Sequence, residues 1–319
     1  MVFRISRRVA LAFAFALTAP AGALAFPDEP IRIIVPTDPG GAIDGLARVF
    51  QKKFETSDLL ADNMPVINMA GAGGTIGTRE IKEADPDGYT IGLWHDGIVT
   101  SKAMGVVDYD QNDFSVLGAT GYADLGLAVS AKSPFKTFEE MIAYAKENPG
   151  QVKVAVNIGL PVHFVPMRVA EGGDMDLRYV QVGGGAKRYQ SLVGGHTDIA
   201  IFSVSELLRF KGTGIEPLVM LTDERVEALP DVPTAKEFGI DVVAPSQRIW
   251  LAPKDVPADR VAALREAFAT AMESEDVAKQ LEGFGLNAVF VDADTVNQRL
   301  NDALEATLPL VPQARQIAK

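Results

Sequence analysis

The hydrophobic pattern changes period several times along the chain. Ile31-Arg-Ile-Ile-Val35 is a mostly β-branched run that reads as a buried strand, and Pro36 ends it. Thr37-Asp-Pro-Gly-Gly41 follows as turn chemistry. Beyond it, Leu46, Val49, Phe50 and Phe54 recur at the spacing of one helical face. The alternation then repeats. Pro65 to Met69 reads as a short strand, the glycine run Ala70 to Gly77 opens onto a helix from Thr78 to Ala84, and Asp85-Pro-Asp-Gly88 turns the chain into a strand from Tyr89 to Trp94. Strands alternating with helices predict a parallel sheet with right-handed crossovers.

Such sheets place ligands outside the carboxyl ends of their strands. Both glycine turns and His95-Asp96 fall at that edge. A helix start presents backbone N–H groups without intrahelical partners and the positive end of the helix dipole, a combination that suits an anion. Glycines there let a ligand approach the backbone. The candidate ligand-binding residues of this half are Thr37, Asp38, Gly40, Gly41, Asp44, Gly73, Gly74, Thr75, His95 and Asp96. The same stretches read equally as ordinary βα turns.

Further along, Leu125 to Ser130 reads as a strand, and Phe138 to Glu147 as a helix opened by the capping box Thr137-x-x-Glu140 and stopped by Asn148-Pro149-Gly150. Val152–Val156 and Asp198–Phe202 are further strands. In the final third, Val261, Leu264, Phe268 and Met272 share one helical face, as do Val277, Leu281 and Phe284.

The first 25 residues do not belong to this pattern. Arg4, Arg7 and Arg8 precede the apolar run Val9–Leu17, and Ala23-Leu24-Ala25 fits a small-x-small cleavage site, so residues 1–25 read as a secretory signal peptide cleaved near Ala25. Its removal takes away three arginines and no acid, leaving a chain more acidic than the −12 of the full sequence. That balance argues against nucleic acid or anionic membrane as partners. An exported chain of this length without cysteine builds its core without disulfides.

Six motifs stand in register: Pro36-x-x-Pro39-Gly-Gly-x-x-Asp44, Gly71 to Gly77, Asp85 to Tyr89, Gly194-Gly195, Leu229-Pro-Asp-Val-Pro-Thr234 with Glu237-Phe-Gly239, and Leu251-Ala-Pro253 with Val256-Pro257. In these the chain resembles the Bug family of periplasmic solute-binding proteins, the TctC-type receptors of tripartite tricarboxylate transporters. The resemblance spans essentially the whole mature chain. It implies an α/β fold of two lobes closing like a Venus flytrap, each a mainly parallel sheet flanked by helices. The first lobe would be discontinuous, residues 26–127 and 248–319, and the second would hold 128–247. It also implies a monomer without a cofactor. That monomer would capture a small organic acid (a di- or tricarboxylate or an aromatic acid) and pass it to integral membrane transporter subunits. A sensory receptor reporting to a membrane histidine kinase fits the same sequence.

The resemblance guides the second jaw. Asn157 and Gly159 follow a strand, and His163 matches the family's histidine at the helix start, although the loop before it is shorter and lacks the serine. His163 reads alternatively as a helix-start residue bonded to nearby backbone. Gly183 and Gly184 stand where the family commonly has Tyr-x-Gly, and Ser203 follows a further strand. Two departures concern the ligand. Trp94-His95 replaces small polar residues, and could stack on a planar ligand or leave Trp94 in the core. Arg248 stands at the return crossover, where Trp-x-Gly is usual. There it could hold a carboxylate bidentately or pair with a protein acid, with Asp96, Asp124 and Asp241 as candidates. Enzyme readings lack support: no H-x-x-x-H metal spacing, no G-x-S-x-G elbow around Ser203 or Ser205, and no phosphate-loop motif is present.

Overall fold

The computed structural model describes residues 26–60 and 63–317, so the signal peptide lies outside the described residues. The chain first lays down β1 (Arg32–Val35), α1 (Ala42–Glu55), β2 (Val66–Asn68), α2 (Thr75–Glu83), β3 (Thr90–Trp94), α3 (Gly97–Met104) and β4 (Phe114–Ala123). A second group follows: β5 (Leu125–Ser130), α4 (Phe138–Glu147), β6 (Lys153–Val156), α5 (Pro161–Gly172), β7 (Arg178–Gln181), α6 (Gly185–Gly194), β8 (Ile199–Ser203), α7 (Val204–Phe210) and β9 (Ile215–Met220). The chain then returns through β10 (Ser246–Pro253), α8 (Ala258–Met272), α9 (Glu275–Gly283), β11 (Asn287–Val291), α10 (Ala293–Thr307) and α11 (Val311–Ile317). Among the described residues no helix is long and apolar enough to cross a membrane.

The strands form two sheets, ordered β11-β4-β10-β3-β1-β2 and β7-β6-β8-β5-β9. The expectation of mainly parallel sheets is corrected: both are mixed. β1 pairs in parallel with β2 and β3, but β10 runs antiparallel to β3 and β4. In the second sheet β6 pairs in parallel with β7 and β8, while β5 is antiparallel to β8 and β9. The reason is topological. β5 and β10 are strands that enter from the opposite sheet, so they start where their neighbours end, and β11, which follows α9, also runs antiparallel to β4.

Sheet membership also changes earlier than expected. Asp124 alone separates β4 from β5, and β10 lies in the first sheet from Ser246 onward, so the limits 127/128 and 247/248 fall inside strands. The return of the chain to the first sheet is secured by aromatic packing. Phe50 and Phe54 of α1 meet Phe268 of α8 at 5.5 and 5.1 Å between centroids, and Phe268 lies 4.3 Å from Trp250 of β10. All four are fully buried. Each such pair contributes about 0.5–1.5 kcal/mol beyond its buried area. Leu46, Val49, Phe50 and Phe54 form the buried stripe of α1, as their spacing predicts. The helix α4 has the Thr137–Glu140 capping box formed.

Candidate functional site

The helix-forming turns stand at strand ends of both sheets, and each is held by a different device. In the first turn Asp44 is a clamp. It is 2% exposed, and its carboxylate accepts from Gly40 N (2.8 Å), Arg48 Nε (3.1 Å) and Asn68 Nδ2 (3.0 Å). Burial alone would raise its pKa, but the hydrogen bonds from Arg48, Gly40 and Asn68 outweigh it and hold the carboxyl below its usual range. Asp44 and the Gly40 N–H are thereby spent on the turn itself. Gly41 is the N-cap of α1, and no side chain caps that helix. Asp38 is exposed, and the Thr37 hydroxyl is buried with no hydrogen-bond partner.

The second turn starts its helix at Thr75 rather than Thr78, because Ala72–Gly74 winds as a 3-10 turn first. The Thr75 hydroxyl donates back to Ala72 O at 2.9 Å. Gly74 lies beneath the ring of Trp94, which is 4% exposed and so belongs to the core. Gly73 faces Leu160 of the second sheet's helical layer. α2, like α1, has a glycine N-cap and no side-chain cap.

His95 stacks on Trp94 with centroids 4.1 Å apart and planes at 24°. Its Nδ1 accepts from Gly97 N at 2.8 Å, which leaves the ring proton on Nε2. Burial and the neighbouring Arg248 push its pKa down to about 3, so the ring is a neutral donor. Asp96 accepts from Gln247 N (3.0 Å) and Gln247 Nε2 (3.4 Å). Arg248 sends Nη1 to Ser246 Oγ (2.9 Å), Ser246 O (3.1 Å) and Gln247 O (3.3 Å). No ion pair among the described residues involves it. The three candidate acids are bound elsewhere: Asp96 to Gln247, Asp124 to Asn287 and Asp241 to Lys236.

The second jaw is more self-contained than the sequence suggests. Gln181 donates to Asn157 Oδ1 at 3.1 Å and accepts from Ile158 N at 2.6 Å. Gly159 N is taken by His163 Nδ1 at 3.3 Å. The His163 imidazole is fully buried, 5.3 Å from the Tyr179 ring in a T-shaped pair, and its bond from Gly159 N matches the helix-start role that the sequence left open beside ligand contact. It fixes the loop from beneath. Burial lowers its pKa to about 4. An unfolded histidine takes up its proton near 6.5, so the folded state is penalised as pH falls from 6.5 through about 4. The loss should reach the order of 3 kcal/mol. Urea unfolding at pH 7 and pH 4.5 should show a loss in the parent that His163→Gln reduces by roughly half, because the neutral His95 is penalised over the same range; equal losses in both would place the acid sensitivity elsewhere.

At the third turn of this jaw, Gly183 O accepts from Arg188 Nη1 (2.9 Å), and Gly184 is the N-cap of α6 without a side-chain cap. Arg188 is 7% exposed. Its Nη2 donates to Ile201 O at 3.2 Å, and its Nε has no partner. Ser203 caps α7 in a capping box with Glu206. Ser205 Oγ donates to Phe284 O of the other lobe at 3.4 Å.

Asn68, Gln181, Arg188, Glu206 and Gln247 are the residues that sequence reasoning missed. Only Glu206 carried a signal, the Ser203-x-x-Glu206 spacing. A cavity of about 1310 Å³ runs along the crossing segments and is lined by Asp96, Asp124, Arg168, Gln247 and Arg299 among others, and by none of the glycine turns. Among the described residues no group of three or more His, Asp or Glu is placed to hold a metal ion.

A family model described as "Tripartite tricarboxylate transporter family receptor" matches residues 46–315. A UPF0065 protein from the tcbD-tcbE intergenic region of Pseudomonas sp. is 29% identical, over 89% of this chain and 85% of its own. A TctC solute binding protein from Polaromonas, solved without ligand, superposes with a TM-score of 0.77 at 26% identity, over 90% of this chain and 99% of its own. A protein of R. palustris solved with adipate shares the fold, with a TM-score of 0.75 at 21% identity over 92% of this chain and 98% of its own.

Proposed function

Because the chain belongs to the tripartite tricarboxylate transporter family of receptors, we propose that its cleft captures a small organic carboxylate between two lobes in the periplasm. The captured acid is then handed, unchanged, to the membrane subunits of such a transporter. The carrying observation is that three helices of eight or more residues, α1, α2 and α6, begin on glycine N-caps with no side-chain cap; in this reading their starts face the cleft. Their first-turn N–H groups and dipoles favour an anion in an otherwise acidic protein. The adipate held by the R. palustris protein of the same fold agrees with that reading.

In this reading the lobes divide at Asp124 and between residues 244 and 246, and closure withdraws the ligand from water. The ligand meets Gly41, Gly73, His95 Nε2 and Arg248 from the first lobe, and Asn157 Nδ2, Gly183, Gly184 and Ser203 from the second. Only His95, not the buried Trp94, is available to stack on an aromatic acid. The protein acts as a monomer once its leader is removed near Ala25.

The test is a thermal-shift screen of organic acids. A true ligand at a hundred times its Kd should add about 2.7 kcal/mol, a rise of about 5 °C for a chain of this size. A melting temperature unmoved by every acid at millimolar concentration would overturn the proposal.

A further inference from the structure

We infer, resting on the carboxylate reading above, that the ligand carries one carboxylate and, at its other end, a hydrogen-bond donor such as an ammonium, amide or hydroxyl, which Glu206 receives. The uncapped start of α6 would by itself suit a second carboxylate. Glu206 already stands there: a Cβ built on Gly185 would overlap its Oε1, and Arg188 Nη2 lies 3.8 Å from the same point. The side chain is fixed by its own cap. Oε2 accepts from Ser203 N and Ser203 Oγ, both at 3.0 Å, while Oε1 makes no hydrogen bond among the described residues.

No direct ion pair holds this group, although the charges of Arg188 and Arg248 both feel it. Arg188 spends Nη1 and Nη2 on the carbonyls of Gly183 and Ile201, and no ion pair of 4.0 Å or less among the described residues includes Glu206. The first lobe has the opposite character. Arg248 uses only Nη1 within the protein, and the nearby His95 is a donor through Nε2. The cleft is therefore polar along its length, with donors on the first lobe and a free carboxylate oxygen on the second. A diacid would bring its second carboxylate against Glu206 as closure excludes water, where like charges repel more strongly. A donor-ended acid gains a charge-assisted hydrogen bond at the same place.

The experiment compares succinate, glutarate and adipate with their monoamides and with the ω-amino acids of the same length, by calorimetry on the parent and on Glu206→Gln. Glutamine keeps the capping box, so the variant retains α7. The parent should bind a donor-ended acid about tenfold or more tightly than the matching diacid, the worth of one hydrogen bond to a charged group. In Glu206→Gln that ratio should collapse towards one. A parent that prefers a diacid, or a ratio unchanged in the variant, overturns this inference and leaves the carboxylate reading standing. If none of these acids binds the parent, this inference fails, and the carboxylate reading stands or falls on the wider thermal-shift screen.

Discussion

Gly74→Val should unfold more of this protein than any other single change at the cleft. Two costs coincide at the position. Gly74 has φ +92°, which a β-branched residue adopts only under strain, and its added Cβ would overlap the buried ring of Trp94. Overpacking and backbone strain of this kind sum to about 3–5 kcal/mol. That is a large fraction of the stability of a typical domain. The tryptophan is not free to yield, because its other neighbour is the stacked His95. Gly184→Val is the matched control: φ is −66° and nothing lies within 4 Å of the new Cβ, so its cost should stay at about 1 kcal/mol, that of exchanging a glycine N-cap for valine. Urea unfolding followed by tryptophan fluorescence reports both, since Trp94 is one of only two tryptophans. A Gly74→Val midpoint matching that of Gly184→Val would mean that the turn does not pack on Trp94.

Gly74 also shows where the sequence stops being legible. The glycine run announced a turn and a helix, but the helix begins three residues before Thr78, since only the packing of Trp94 settles how the glycines wind. Locally coded features fared well. The strand from Leu125 to Ser130 and the helix from Phe138 to Glu147 have the expected limits, because a short apolar run and a capping box are signals within a few residues. Strand direction was not readable, since β5 and β10 are reversed by where the chain comes from rather than by their own residues.

The site followed the same division. Its glycine turns were visible, but the partners that decide which donors remain free are distant. Asn68 reaches Asp44 across 24 residues, Gln181 reaches Asn157 across 24, and Gln247 reaches Asp96 across 151. Asp44, Gly159 and His163, candidate ligand contacts in the sequence, are each engaged in holding their own loop, and Asp96, one of three acids offered as an alternative partner for Arg248, is hydrogen-bonded to Gln247. Glu206 was visible only as a helix cap. Its second role depends on α6 bringing Gly185 against it, a contact between residues of different elements that no spacing announces.

Gly41→Val should leave a folded protein that has lost its ligand. The two effects separate because the position is open. Gly41 has φ −79° and ψ 170°, an extended conformation that valine accepts, and the nearest atom to an added Cβ is Asp38 O at 3.7 Å. Replacing a glycine N-cap by valine should cost about 1 kcal/mol of stability. The isopropyl group would then stand over the first-turn N–H groups of α1, the donors that Asp44 does not occupy. A carboxylate held there accepts hydrogen bonds worth about 1.5–3 kcal/mol each, so losing two of them weakens binding by about a hundredfold or more. Gly184→Val makes the comparison informative. If the carboxylate end of the ligand sits on the first lobe and a donor end faces Glu206, valine at Gly184 should weaken binding far less than valine at Gly41. Calorimetry with the best acid from the thermal screen gives both affinities. An unchanged Kd in a folded Gly41→Val protein would remove the α1 start from the site, and a larger loss at Gly184 would move the carboxylate to the second lobe.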